Sequence, residues 1–342
     1  GFKIAMNALN VGRIKLGAAC LDAQRRIISC SVKYANERIQ FNTPIAQFGA
    51  IKEKIARMAT SCFAGESATY RAANDVELKI KSFEAEGLNH QQAELKGVEE
   101  FAIECSIIKV GASEDIQGCA DDGIQIYGGM GFSAETPMES AWRDARIGRI
   151  YEGTNEINRM LSVGMLLKKA MKGKIDLMGA VMKAVGEIKN QQSETSETIQ
   201  GELSAEIIQV KNLKKAFLIL TGTAFQKYGA DLEKHQQVLL SLADILIETY
   251  FAESALLRTL KNIGKGNDSI SQKAMTKLYV FDATQIVLRK GNEIIGNIAD
   301  TEEKTKLLKG VHQLCRYDDL PDVISLKNQI ADLLIAENEY CF

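Results

Sequence analysis

The chain has 342 residues, 46% of them apolar, with 42 Lys and Arg against 44 Asp and Glu. This length suggests about two domains with a sizeable core, and the even charge argues against a nucleic-acid footprint. No apolar run reaches the ~18 residues of a membrane span, and three histidines are too few for a zinc site.

Only Pro44, Pro137 and Pro321 interrupt a sequence rich in Ala, Leu, Ile, Lys and Glu, so long helices are expected. From Ala8 to Asn36, Leu16, Ala19, Cys20, Ala23, Ile27 and Cys30 recur every three or four residues. Asn42-Thr43-Pro44 ends that helix. A second helix runs from about Phe48 to Phe83, with Ile51, Ile55, Met58, Ala59 and Cys62 on one face. After a loop at Glu86–His90, a third covers Gln92 to Ile126 and stops at Gly128-Gly129-Met130-Gly131. Pro137 opens a short helix, and another follows Thr154 to about Ala170. Met171-Lys172-Gly173-Lys174 reads as a junction and Gln191–Glu197 as a polar loop or solvated helix start. Helical patterns then cover 198–228, 231–263, 270–297, 301–316 and 321–338, with a turn at Lys261–Asp268. No period-2 pattern of useful length appears. The expected fold is all-α: an antiparallel four-helix bundle over 1–170, then a second α-helical domain over 175–342. Cys20, Cys30, Cys62, Cys105, Cys119, Cys315 and Cys341 show no C-x-x-C spacing and read as reduced, mostly buried thiols of a reducing compartment.

The segment Ile150-Tyr151-Glu152-Gly153-Thr154-Asn155 carries the chemistry. One carboxylate follows an apolar-aromatic pair and precedes a glycine that allows close backbone approach to a ligand. Thr154 or Asn155 can cap the next helix and leave its amides for an anion. By composition alone, a loop glutamate ahead of a capped helix is the favoured reading of this segment.

Leu9-Asn10-Val11-Gly12-Arg13, Asn36-Glu37-Arg38-Ile39-Gln40-Phe41, Gln125 to Phe132 and Trp142 to Arg159 together resemble the C-terminal half of the acyl-CoA dehydrogenases. The likeness covers about the first 165 residues and is greatest to the very-long-chain branch, which also carries an extra C-terminal helical domain. The resemblance implies FAD-dependent α,β-dehydrogenation of a long-chain acyl-CoA to the trans-2-enoyl-CoA in fatty-acid β-oxidation. It implies Glu152 as the base that removes the proton alpha to the thioester carbonyl. It implies FAD contacts at Arg38, Gln40, Phe41, Phe48, Gly49, Gln125, Gly128, Gly129, Thr154 and Glu156, and acyl-CoA contacts at Asn10, Arg13 and Gly153, with no metal. Asn42 stands where the family usually has Gly, and asparagine tolerates the positive φ such a turn uses. Glu156 is acidic where some relatives have Gln, so it suits a ribose hydroxyl better than a phosphate.

Implied partners are an electron-transferring flavoprotein and a second copy of the chain, since FAD is contacted across a dimer interface. The implied compartment is the cytoplasm of a bacterium or the mitochondrial matrix of a eukaryote. The family's N-terminal helical domain and middle β domain precede the residue matching Gly1, so the sequence reads as a fragment or processed product. The basic stretch Lys168–Lys174 leaves peripheral membrane contact open. Other readings are an acyl-CoA oxidase, which shares the fold and the base, and a non-enzymatic helical scaffold of the same family.

Overall fold

The computed structural model describes residues 1–190, 201–267 and 270–342. Helix α1 (Phe2–Glu37) ends in a tight hairpin of β1 (Ile39–Gln40) and β2 (Thr43–Pro44). Phe41 and Asn42, at φ 53° and 61°, form its two-residue turn, the geometry that matches the right-handed twist of the strands. Asn42 takes the positive φ expected of it. Helix α2 (Gly49–Ala85) returns along α1, α3 (His90–Glu100) crosses over, and α4 (Ala102–Tyr127) runs parallel to α1. That direction is fixed by Arg13 on Ser106 at one end and Tyr34 stacked on Tyr127 at the other. Arg57 near the start of α2 pairs with Asp122 near the end of α4, so those two are antiparallel. After α5 (Gly129–Phe132) and α6 (Pro137–Ile147), α7 (Asn155–Met171) descends α4, from Asn155 beside Ser113 to Lys169 on Glu100. The bundle of α1, α2, α4 and α7 is thus up-down-up-down.

The structure corrects the single helix expected over Gln92–Ile126. The chain breaks at Phe101 (φ −101°, ψ 24°). Asn89 caps α3 by accepting from Gln92 N, and Gly97 lies so close to Ile80 of α2 that a Cβ there would sit 2.5 Å from Ile80 Cγ1. That approach angles α3 away from the line of α4, and tertiary packing overrides a pattern that contains no breaker.

The remaining helices are α8 (Leu177–Asn190), α9 (Ser204–Tyr228), α10 (Gln236–Gly264), α11 (Ile270–Ile298), α12 (Thr301–Leu314) and α13 (Val323–Glu337). The helix read from 198 begins at Ser204 within the described residues, after Gly201 at φ 142°. Gln191–Glu197 and Asp268 lie outside the described residues. Two apolar cores hold the molecule. The first joins Ile28, Ile55, Phe63 and Ile108 of the bundle to Phe251 of α10, Met275 of α11 and Leu334 of α13. The second joins Val163 and Leu167 of α7 to α8 through α12, around Leu220, Leu242 and Val287. The later helices therefore pack directly on α2 and α4, and α7 serves both cores. Five of the seven cysteines are buried, and all are free thiols.

Candidate functional site

Gly148 ends α6, and residues 148–154 form an irregular loop closed by Asn155 N on the Arg149 carbonyl at 3.1 Å. Glu152 and Gly153 follow one another at φ 59° and 82°. A left-handed glutamate costs of order 1–3 kcal/mol and persists only when its surroundings over-determine it. Here they do. The Asn158 amide donates to the carbonyls of Glu152, Gly153 and Thr154 at 3.2, 2.8 and 3.1 Å. Arg13 Nε donates to the Glu152 carbonyl at 3.2 Å.

The Glu152 side chain lies over the backbone of α1. A Cβ on Gly12 would fall 2.6 Å from Glu152 Oε1, so only glycine leaves room for the carboxylate. Its Oε2 is buried and has no hydrogen-bond partner among the described residues. On α1, Gly12, Leu16, Ala19, Ala23, Ile27 and Cys30 share one face. Beyond Gly12, that face lines an apolar groove of about 390 Å³, closed by Met138 and Ala141 of α6 and by Tyr151. From Leu16 to Cys30 the groove follows α1 for about 21 Å.

Arg13 and Asn10 are almost fully buried, at 2% and 4% exposure, and bond each other at 2.9 Å. Burial lowers the Arg13 pKa, while Cys105 and Glu152 oppose that shift. Gly153 packs against Asn158 and the Arg13 guanidinium.

The sequence reading missed the frame behind the loop. Lys109, wholly buried, donates to Asn155 Oδ1 at 2.6 Å, and desolvation followed by the nearby Arg13 pulls its pKa down to about 8. Asn155 also meets Ser113 and Glu114. Arg159, one turn on, makes a bidentate pair with Glu114 at 2.8 and 2.7 Å and reaches Asp244 of α10 at 2.6 Å. A lysine in the apolar run Ile107-Ile108-Lys109-Val110 was the available signal.

The residues assigned to FAD fall into two groups. Thr154 and Glu156 stand beside Glu152. Thr154 caps α7 by accepting from Ile157 N at 3.4 Å. Glu156 is exposed, and hydrogen bonds from its own amide and from Thr154 hold its pKa below the usual range. Arg38, Gln40, Phe41, Phe48 and Gly49 lie at the far end of α1, about 39 Å from Gly12 at 1.5 Å per residue. The Gln40 amide faces the Arg38 guanidinium, and Phe41 meets Phe48 edge-on at 6.2 Å. Gln125, Gly128 and Gly129 share that end through the Tyr34–Tyr127 stack. Helix α2 starts there with no side-chain cap, no acidic residue in its first turn and open space before Gly49. An exposed arginine beside uncapped helix amides suits phosphate.

The histidines take no part. His90 pairs with Glu84, His235 stacks on Tyr228 and His312 meets Asn292.

A family model described as "Acyl-CoA dehydrogenase, C-terminal domain" matches residues 1–166, and a second with the same description matches residues 212–313. A Bacillus subtilis protein described as a probable acyl-CoA dehydrogenase is 38% identical over 342 residues, covering 99% of this chain and 57% of that protein. The very long-chain specific acyl-CoA dehydrogenase of Macaca fascicularis mitochondria is 30% identical over 291 residues, covering 80% of this chain and 42% of that protein. The crystal structure of an acyl-CoA dehydrogenase complexed with FAD from Bacillus anthracis superposes with a TM-score of 0.95 at 36% identity, covering all of this chain and 58% of that one. The chain thus spans about half the length of the relatives it matches.

Proposed function

Because the chain belongs to the acyl-CoA dehydrogenase family, we propose that it supplies the catalytic base and the acyl groove of an FAD-dependent enzyme that dehydrogenates long-chain acyl-CoA. The observation that carries this reading is the Glu152 carboxylate, held over Gly12 one turn of α1 before Leu16 and next to Tyr151, both of which line an apolar groove. A saturated acyl chain laid along Ile27, Ala23 and Leu16 would bring the carbon alpha to its thioester toward Glu152. Glu152 then takes the alpha proton. Burial of the acyl chain excludes water from the reacting carbon. Arg13 and Asn158 hold the loop so that the carboxylate does not swing away. When bound, FAD would supply the acceptor for the hydride leaving the beta carbon, with an electron-transferring flavoprotein as the proposed next acceptor.

The residues fit FAD in two parts. Arg38, Gln40, Phe41, Phe48, Gly49, Gln125, Gly128 and Gly129 would take one end of the cofactor. Thr154 and Glu156 would take a region beside the base, with Glu156 on a hydroxyl rather than a phosphate. The two groups are farther apart in one chain than a single FAD reaches. A shared FAD therefore requires at least a dimer, with one group from each copy.

Glu152→Gln in the FAD-loaded natural protein tests the assignment. Anaerobic bleaching of the flavin by a long-chain acyl-CoA should slow by at least about a hundredfold, the range for loss of a general base. Unchanged bleaching would remove Glu152 as the base. Reoxidation by electron-transferring flavoprotein rather than by oxygen with peroxide release identifies a dehydrogenase.

A further inference from the structure

We propose that Lys109 is a positioning residue for the base: through Asn155 it fixes the loop that carries Glu152, and it does so in its charged form; this rests on the function just given. Lys109 of α4 is wholly buried, within the run Ile107-Ile108-Lys109-Val110. Lysine is almost never fully buried unless it is paired. Among the described residues Lys109 makes no ion pair and one hydrogen bond, from Nζ to Asn155 Oδ1 at 2.6 Å. Helix packing does not account for such a group. An apolar side chain of similar volume would fill the place without the cost of burying an ammonium.

Asn155 is the clasp of that loop. Its backbone N–H closes residues 149–155 on the Arg149 carbonyl at 3.1 Å, and Glu152 lies inside the closure. Its side chain is held from α4 by Lys109 at 2.6 Å, by Ser113 at 3.0 Å and by Glu114 at 3.1 Å. The Lys109 bond is the shortest of these and is charge-assisted. Loss of the proton leaves a neutral amine, a weaker donor, and the clasp then rests on the two longer bonds. The groups facing Lys109 are Arg13 and Cys20 of α1, Glu114 of α4 and Glu156 of α7. Burial and Arg13 pull its pKa down to about 8, against Glu156, Glu114 and Cys20. The ammonium is present below that pH and is lost as pH rises through it.

Stopped-flow reduction of the FAD-loaded natural protein by a long-chain acyl-CoA tests this, with Lys109→Met as the variant. Asn155 Oδ1 keeps Ser113 as a donor at 3.2 Å, so no buried acceptor is left unpaired and folding is retained. At neutral pH the flavin of the variant should be reduced more slowly by roughly tenfold to a hundredfold, the effect of about 1 Å of misplacement. The dissociation constant of the acyl-CoA should not change. The ratio of the two rates should shrink as pH rises from about 7 to 9.5, because the unsubstituted protein loses an ammonium that the variant never had. Asn155→Ala should be slowed to the same extent, and Lys109→Met should add nothing to it. A lysine that only supports the fold would lower the melting temperature and leave the rate per bound flavin alone.

An equal rate per bound flavin in Lys109→Met and the unsubstituted protein overturns the proposal. So does a ratio that is constant with pH, or a double variant in which the two losses add. If Lys109→Met does not fold, an unchanged rate in Asn155→Ala overturns it by itself. Failure of the functional reading looks different. There Glu152→Gln bleaches as fast as the unsubstituted protein, whereas failure of this proposal leaves Glu152→Gln slow and the Lys109 and Asn155 variants at the full rate.

Discussion

At the scale of single residues, the site depends on an absent side chain. Gly12 is inside a helix, where alanine is favoured over glycine by about 1 kcal/mol. Yet a Cβ there would press on Glu152 Oε1, Cδ and Oε2 at 2.6, 2.7 and 2.9 Å. Gly12→Ala should therefore leave the melting temperature unchanged or higher. It should slow flavin reduction by roughly tenfold to a hundredfold, because a displacement of about 1 Å has that effect on a reacting group. Stopped-flow reduction of the loaded protein measures this, and an unchanged rate would show that the carboxylate does not use the space over Gly12. The Glu152 loop stood out in the sequence as a carboxylate between an apolar-aromatic pair and Gly-Thr, but its reading as a base came from the family resemblance. The contact of Glu152 with Gly12 was not legible, because nothing local marks which glycine of a helix faces a residue 140 positions away. Arg13 was read as an acyl-CoA contact on resemblance alone. The structure gives it physical content as a buried clamp on the Glu152 carbonyl.

At the scale of elements, the helices followed from apolar spacing and the scarcity of proline, and the start of α7 followed from Thr154. The break at Phe101 did not, because it is imposed by the packing of Gly97 on Ile80. Nor did the fastening of α7, whose partners come from two other helices. Arg159 is 14% exposed at its side chain and compensates both Glu114 and Asp244, while Asp244 also meets Lys290 of α11 at 3.1 Å. These groups tie the helix that follows Glu152 to the later half of the chain. Arg159→Met removes the shared cation but leaves Asp244 with Lys290 and Glu114 with Arg149 at 3.8 Å. It should lower stability by about 1–3 kcal/mol, less than the loss for a buried charge left with no partner. Asp244→Asn should cost less, since Glu114 keeps its bidentate partner. Urea unfolding of both variants checks the order, and equal losses would mean that Asp244 carries the tie.

At the scale of the whole molecule, the sequence reading gave the later helices no chemistry, because the groups that matter meet only across the seam between the cores. Glu248 of α10 accepts from Tyr279 of α11 at 3.1 Å and faces Asp115 of α4. Burial is the main force on both carboxyls. It raises Glu248 to about 7, with Asp244, Glu114 and Asp282 adding to the shift and Tyr279 opposing it, and it pushes Asp115 well above the usual carboxylate range. The sign follows from proton counting. Between about pH 4.5 and 7 the folded state holds a proton on Glu248 that the unfolded chain has released, so stability falls as pH rises. This contribution is fully present below about pH 4.5 and is lost as pH passes through 7. Carboxylates held low by ion pairs, such as Glu114 and Glu253, act in the opposite sense and remain in any Glu248 variant. The informative quantity is therefore the difference between Glu248→Gln and the parent. That difference should be small near pH 5 and should grow in favour of the variant toward pH 8, because the amide keeps the Tyr279 hydrogen bond and carries no charge into the seam. Melting temperatures of the two proteins across that range measure it. A constant difference would show that the Glu248 carboxyl does not retain its proton when the later helices are packed on α4.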